Sequence, residues 1–176
     1  VRITYRRWTQ EDAVHIHQIL HDTWLDAYSG FIPREDILGY LDKHYHLDAI
    51  KNFVENEDTV GFIADVDGVL AAYEKTFYNK EEKRLYVHQL YVLPQFQGLG
   101  LGKQLMAFAA ERAETFNLDC VWLGVMVDNT SAVLWYQKMG YQITEKTPFV
   151  MGKTTVDHYI GFVPVKDIVR SSGTVR

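Results

Sequence analysis

The chain predicts an α/β (α+β) fold, a mixed and mostly antiparallel twisted sheet flanked by helices. Three observations carry this. A hairpin signal at Asp67-Gly68 joins two β-rich runs, residues change from strand-like alternation to helical spacing across a loop with glycines at 98, 100 and 102, and two more β-rich runs close the chain around Met151-Gly152. In order, Arg2 to Trp8 reads as a strand. Thr9, three residues before Asp12, approximates a capping box, so a helix is expected next. Val14, Ile16, Ile19, Leu20, Trp24 and Leu25 follow helical spacing to Tyr28, where Ser29-Gly30 interrupts it. Pro33 helps to start a second helix and Asp48 to Glu57 suits a third. Val60 to Val66 and Val69 to Phe77 form the hairpin, and Leu85 to Leu93 the next strand. Past the glycine loop, Lys103 to Phe116 is amphipathic and Cys120 to Val127 is β-rich. Asp128-Asn129 reads as the N-cap of a helix over Ser131 to Met139 that Gly140 stops. Tyr141 to Val150 and Thr154 to Val163 make the closing strand pair.

Composition bounds what such a domain does. With 176 residues and 47% hydrophobic content, the chain suits one domain with one sizeable core, expected over residues 1–168. The polar, small-residue-rich segment 169–176 is expected to be a flexible tail. A net charge of −5 and a pI near 5.8 supply no basic footprint for nucleic acid or an anionic membrane. A single cysteine, Cys120, precludes an intramolecular disulfide. No secretory leader is expected and no apolar run reaches membrane-spanning length, so a cytoplasmic protein is expected.

The stretch QFQGLGLGK, residues 95–103, carries the chemistry. A Walker A loop would need glycine at 97 and Ser or Thr at 104, where this chain has Gln97 and Gln104. A dinucleotide fingerprint fails as well, because Lys103 and Leu105 occupy the positions of its third glycine. What fits is Q-x-x-G-x-G from Gln97 to Gly102, between a strand and a helix. Glycines let successive N–H groups face one concavity, and the positive end of the helix dipole adds to it, which suits a pyrophosphate. The alternative is a glycine-rich turn that merely packs close to the sheet. The same pattern recurs from Gln95 to Gly100, but the Gln97 register starts the expected helix immediately after its last glycine.

This strand, loop and helix resembles the pyrophosphate-binding signature of the GNAT superfamily of acyl-CoA N-acyltransferases. LYVHQLYVLPQFQGLGLGKQLM is similar to the family's central strand, loop and helix, and WLGVMVDNTSAVLWYQKMGY to its following strand, helix and strand entry. HDTWLDAY and FVMG, followed by Asp157, further resemble PaiA-type polyamine N-acetyltransferases. The resemblance implies a splayed central strand pair holding acetyl-CoA as co-substrate. Backbone groups of Leu90, Tyr91 and Val92 would pair with the pantetheine arm, and Gln97, Gly98, Leu99, Gly100, Leu101, Gly102 and Lys103 would cradle the pyrophosphate. It also implies a small-molecule amine acceptor, foremost spermidine or spermine, and a possible homodimer.

Acetyl transfer needs an unprotonated amine, a stabilised oxyanion and a proton for the departing thiolate. A tyrosine hydroxyl, ordinarily near pKa 10, can serve a thiolate whose thiol lies near 8.5. Tyr136 is assigned that role, the alternative being that Trp135 or Tyr136 is simply a core aromatic at helical spacing. Tyr136 lies seven residues after Asn129, about two helical turns, so both address one ligand. By resemblance, the backbone N–H of Leu90 meets the oxyanion. Many family members carry a glutamate base on the central strand, whereas Tyr86 and His88 stand on that face here, and His88 is either the base or a structural histidine. The resemblance implies that the first two helices wall the acceptor cleft, where Asp22, Asp26, Glu35 and Asp36, with Trp24 and Tyr28, could receive a polycation; the alternative is that these carboxylates are merely solvated.

Three other readings remain open. His17 and His21 have the i, i+4 spacing of a zinc pair, with His44 and His46 further on. However, HQILH lacks the glutamate of H-E-x-x-H and no cysteine cluster supports it, so no metal is expected. A GNAT-like module that binds acyl-CoA without turnover is the second. An enzyme acting on a peptide or protein amine, or on an amine-bearing antibiotic, is the third.

Overall fold

A computed structural model describes residues 1–168, and the expected tail at 169–176 lies outside them. The strands are β1 (Ile3–Arg7), β2 (Thr59–Val66), β3 (Val69–Asn79), β4 (Arg84–Val92), β5 (Cys120–Met126), β6 (Gln142–Met151) and β7 (Thr154–Pro164). The helices are α1 (Ala13–Tyr28), α2 (Arg34–His44), α3 (Leu47–Glu55), α4 (Leu101–Thr115) and α5 (Thr130–Lys138). All seven strands join one sheet in the order β1-β2-β3-β4-β5-β7-β6. Every pairing is antiparallel except β4 with β5. The mixed, mostly antiparallel sheet read from the sequence is therefore present.

The N-terminal signal works as expected. The Thr9 N–H donates to the Asp12 carboxylate at 2.7 Å, and Arg6 grips the same carboxylate at 2.7 and 2.8 Å. From there α1 buries Ile16, Ile19, Leu20, Thr23 and Trp24 at helical spacing. Val14, which also fits that spacing, is 60% exposed and belongs to the solvent face. With α2 and α3, this helix covers one face of the sheet, where Tyr73 of β3 joins the core. The opposite face is covered by α4, whose Leu101, Leu105 and Phe108 pack on Ala64 and Ala72.

Two irregularities create the site. β4 is nine residues long, yet it pairs with β5 only through Leu85, Tyr86 and Val87. Beyond Val87 the two strands fork. On its other edge, β4 pairs Gln89 with Lys75 but Val87 with Thr76, so His88 is the extra residue of a β-bulge. A bulge bends the strand and re-aims side chains, which widens the fork at its root.

One helix boundary differs from expectation. α4 begins at Leu101, two residues before Lys103, and Gly102 therefore lies inside its first turn. Gly100 is the N-cap, with φ +80° in the left-handed region that favours glycine. Gly102 is crowded for a different reason: a Cβ there would meet the Trp135 ring at 3.2 Å, so the ring would have to shift to admit a larger residue.

Candidate active site

A cavity of about 1440 Å³ occupies the β4–β5 fork and continues under α1 and α2. Small-molecule pockets commonly span about 300–1,000 Å³, so this one has room for two ligands. The glycine loop forms one end. Gln97, Gly98, Gly100, Leu101, Gly102 and Lys103 all line the cavity, whereas Leu99 points to solvent and is 42% exposed. Gly98 and Gly100 take φ of +83° and +80°, and a Cβ built on either would meet nothing within 4 Å. Open space, bare backbone and the N-terminus of a 15-residue helix thus coincide, and Lys103 adds a cation.

The choice between the two glutamine registers rests on this geometry rather than on where the helix begins. Because α4 starts at Leu101, the Gln95 register is the one whose last glycine immediately precedes the helix. Gln97 nevertheless lines the cavity, with its Nε2 at 3.5 Å from the Val92 carbonyl, whereas Gln95 does not line it.

Along the floor, Leu90, Tyr91 and Val92 continue β4 past its last pairing with β5. Opposite them, α5 presents Asn129 and Tyr136. Asn129 occupies the N-cap position, and its backbone carbonyl accepts from Val133 N at 3.0 Å. Contrary to the expected side-chain cap, its amide caps nothing and is left on the cavity wall, with Ser131 Oγ at 3.4 Å. Tyr136 is 9% exposed and braced by Trp135 and Tyr141 at ring separations of 4.9 and 5.9 Å. Burial pushes its phenol above the ordinary value, so it keeps its proton through the neutral range.

His88, the bulge residue, stacks on Phe77 at 5.3 Å and faces the cavity. The surrounding protein, and then the ammonium of Lys75, lower its pKa below the ordinary histidine value, which leaves the ring neutral at pH 7 but weakens it as a proton acceptor, and its exposed edge tempers that shift. Tyr86 is otherwise engaged, its hydroxyl donating to Glu82.

The acceptor side departs most from expectation. Trp24 and Tyr28 line the cavity as anticipated, and Tyr40, Tyr45, Tyr91 and Phe149 join them in an aromatic wall. Of the four carboxylates, Asp26 alone borders the cavity, and it is exposed. Asp22 is held by His21 at 2.9 Å and Gln18 at 2.8 Å. Asp36 accepts from Thr154 Oγ1 at 2.6 Å and Lys153 N at 3.2 Å, which ties α2 to the β6–β7 turn, and Glu35 lies outside the cavity. Tyr40, Tyr45 and Phe149 escaped sequence reasoning because no local pattern joins a helix end to a distant hairpin. The histidine pairs do not converge: His46 caps α3 by accepting from Ala49 N at 3.2 Å. Among the described residues, no cluster of three or more His, Cys, Asp or Glu could hold a metal.

Comparison with known proteins places this architecture. The model of the Acetyltransferase (GNAT) family matches residues 13–141. The chain belongs to the GNAT acetyltransferase family. Among similar proteins, an uncharacterised N-acetyltransferase of the pepI 3' region in Lactobacillus delbrueckii subsp. lactis is 26% identical over 150 residues. The match covers 82% of this GNAT chain and 87% of that one. A mycothiol acetyltransferase of Streptomyces griseus is 36% identical over 84 residues, covering 48% of this chain but only 27% of its own length. The fold is shared with PaiA N-acetyltransferase of Thermoplasma acidophilum, solved with coenzyme A: TM-score 0.77, 18% identity, 90% of this chain and 98% of that one. This GNAT protein is an acyltransferase in which no helix of the described residues is long and apolar enough to cross a membrane.

Proposed function

We propose that this GNAT enzyme transfers an acetyl group from acetyl-CoA directly to a primary amine. The single observation that carries the reading is the β4–β5 fork, opening beside a bare glycine loop at the N-terminus of α4. Acetyl-CoA supplies the acyl group and the thiolate leaving group. The loop from Gln97 to Lys103 takes the pyrophosphate, the exposed β4 backbone at Leu90, Tyr91 and Val92 pairs with the pantetheine arm, and Asn129 steadies it from α5. The amine nitrogen attacks the thioester carbonyl, forming C–N and breaking C–S. Leu90 N–H donates to the developing oxyanion. His88, neutral at pH 7, accepts the proton leaving the amine, directly or through water. Tyr136 donates to the departing sulfur as its charge grows.

The finer expectation, a polyamine acceptor, draws support from the aromatic wall and from Asp26. It loses Asp22 and Asp36, whose carboxylates are engaged elsewhere. The reading is therefore kept at the primary amine. Thiol release from acetyl-CoA, measured against spermidine, spermine, putrescine, lysine peptides, aminoglycosides and free amino acids, tests it. Turnover with one of these amines is the expected result. Binding of acetyl-CoA without turnover of any amine would leave a non-catalytic acyl-CoA module in its place.

A further inference from the structure

The acceptor side of the cavity holds two hydrogen-bond donors with nothing to receive them, and a cation without a counter-ion lies behind its Tyr45 wall. Lys75 on β3 is 6% exposed. Its ammonium lies 3.8 Å from the Phe53 ring centroid and 5.7 Å from that of Tyr45, and no ion pair to it forms among the described residues. The adjacent carboxylate, Glu74, projects from the opposite face of the strand, since successive side chains alternate. Burial lowers the Lys75 pKa to about 8, and no carboxylate offsets it. Directly across the ladder from Lys75 stands Gln89, 4% exposed. Its Oε1 accepts from Tyr73 at 2.5 Å and its amide supports the Tyr45 hydroxyl, which leaves its second N–H without an acceptor. Trp24 of α1 is 4% exposed, and its Nε1 is likewise without a partner. Trp24 and Gln89 both line the cavity. The indole and amide therefore offer two unused N–H groups on the acceptor face, and Lys75 places an uncompensated positive charge beside them.

A buried cation without a counter-ion and buried donors without acceptors are costly, and each cost is removed by a ligand that brings negative charge and lone pairs. A polycation would do the reverse. Cation–π contact with Phe53 and Tyr45 offsets part of the Lys75 cost, but leaves Trp24 and Gln89 unsatisfied. Asp26, the carboxylate bordering this end of the cavity, is exposed and therefore at the rim. Building on the amine-acetyltransferase reading, we infer that the acceptor is a small amine bearing a carboxylate on an apolar or aromatic body, an amino acid in chemical class. Its body lies against the wall of Trp24, Tyr40, Tyr45 and Phe149. Its carboxylate turns toward Trp24 Nε1, Gln89 Nε2 and Lys75, while its amine faces the fork. Trp24 and Gln89 are sealed from solvent, so the carboxylate reaches them as the partly buried Tyr40 and Tyr45 rings yield.

Matched pairs that differ only by the carboxylate test this. Rates of thiol release are compared for phenylalanine with phenethylamine, tyrosine with tyramine, and leucine with isoamylamine, with spermidine alongside. The expected result is a kcat/KM at least tenfold higher for the carboxylate member of at least one pair, and higher than for spermidine. Lys75→Met and Trp24→Phe should each shrink that ratio severalfold, through KM more than kcat. Lys75→Met should also unfold at the same or a higher temperature than the parent, because it removes a buried charge while keeping the side-chain length. Turnover confined to carboxylate-free amines, or a ratio that Lys75→Met leaves unchanged in the folded protein, overturns the inference and spares the acetyltransferase reading. Acetyl-CoA binding with no amine acetylated overturns both.

Discussion

Two buried ionisable side chains, Tyr136 and Glu74, are pushed in opposite functional directions by the same physics. Burial keeps the phenol of Tyr136 protonated and so preserves it as a donor. Tyr136→Phe should lower kcat by about 10²–10⁴-fold, the range for loss of a positioned proton donor, while acetyl-CoA affinity changes less than threefold. Calorimetry with acetyl-CoA beside steady-state rates separates the two effects. Equal rates would remove Tyr136 from the chemistry. Glu74, by contrast, is assigned no step in the proposed transfer. It is wholly buried, both carboxyl oxygens lack partners, and its register sets it between Phe62 and Leu90. Burial raises its pKa well above the ordinary carboxylate value, although Arg112 pulls in the other direction. Because the folded state holds this proton more tightly than the unfolded chain, stability is greatest below the ordinary value. It declines as pH rises toward the folded pKa. Glu74→Gln should flatten that decline in melts followed from pH 4 to pH 8. A slope equal to that of the parent would show that Glu74 is ionised in the fold.

At the scale of elements, the glycine loop and the β6–β7 turn show how backbone geometry and side-chain chemistry divide the work. Gly100 holds a left-handed conformation that costs an L-residue about 1–2 kcal/mol, and the space where its Cβ would sit is empty. Gly100→Ala should therefore fold with modest loss. Gly100→Asp should fold comparably but lose at least tenfold more acetyl-CoA affinity than Gly100→Ala, through repulsion of the pyrophosphate. Equal affinities in the two variants would show that this loop does not meet phosphate. In the β6–β7 turn, Asp36 reaches across from α2 to Thr154 and Lys153. The Thr154 hydroxyl, then the Lys153 N–H, hold its pKa below the ordinary carboxylate value. This stability is present above the ordinary value and is lost as pH falls through the folded pKa. Asp36→Ala should lower the melting temperature at pH 7, and the gap to the parent should narrow in acid. A gap of the same size at pH 3 would remove the hydrogen bonds as its cause.

For the whole molecule, one parallel pairing in an otherwise antiparallel sheet has the largest consequence. Because β4 and β5 run the same way, they cannot be joined by a tight hairpin, and the connection between them is α4. The chain therefore places a helix N-terminus at the mouth of the fork where β4 ends. Ligand binding there should be coupled to global stability. At 100 times its dissociation constant, acetyl-CoA contributes about 2.7 kcal/mol, which for a domain of this size raises the melting temperature by roughly 5–10 °C. A thermal-shift titration reads this directly, and no shift at saturating acetyl-CoA would contradict the donor site.

Sequence alone determined the element order and the place of the glycine loop between a strand and a helix, because each depends on local spacing: alternation in strands, 3.6-residue periodicity in helices, and glycines where backbone must be bare. It misjudged the start of α4, since a left-handed N-cap at Gly100 and a crowded helical Gly102 look alike in one dimension. It also placed Asp22, Glu35 and Asp36 in the acceptor cleft with Asp26, because which carboxylate is engaged elsewhere depends on partners far along the chain, as with Asp36 and Thr154. Only the tertiary structure brought Trp24, Tyr40, Lys75, Gln89 and Phe149 toward one end of one cavity. The glycine loop, with the strand before it and the helix after it, is continuous in sequence and could be read there. The acceptor half is assembled from five separate elements, and its character is set by burial and unpaired polar groups, which exist only once the chain has folded.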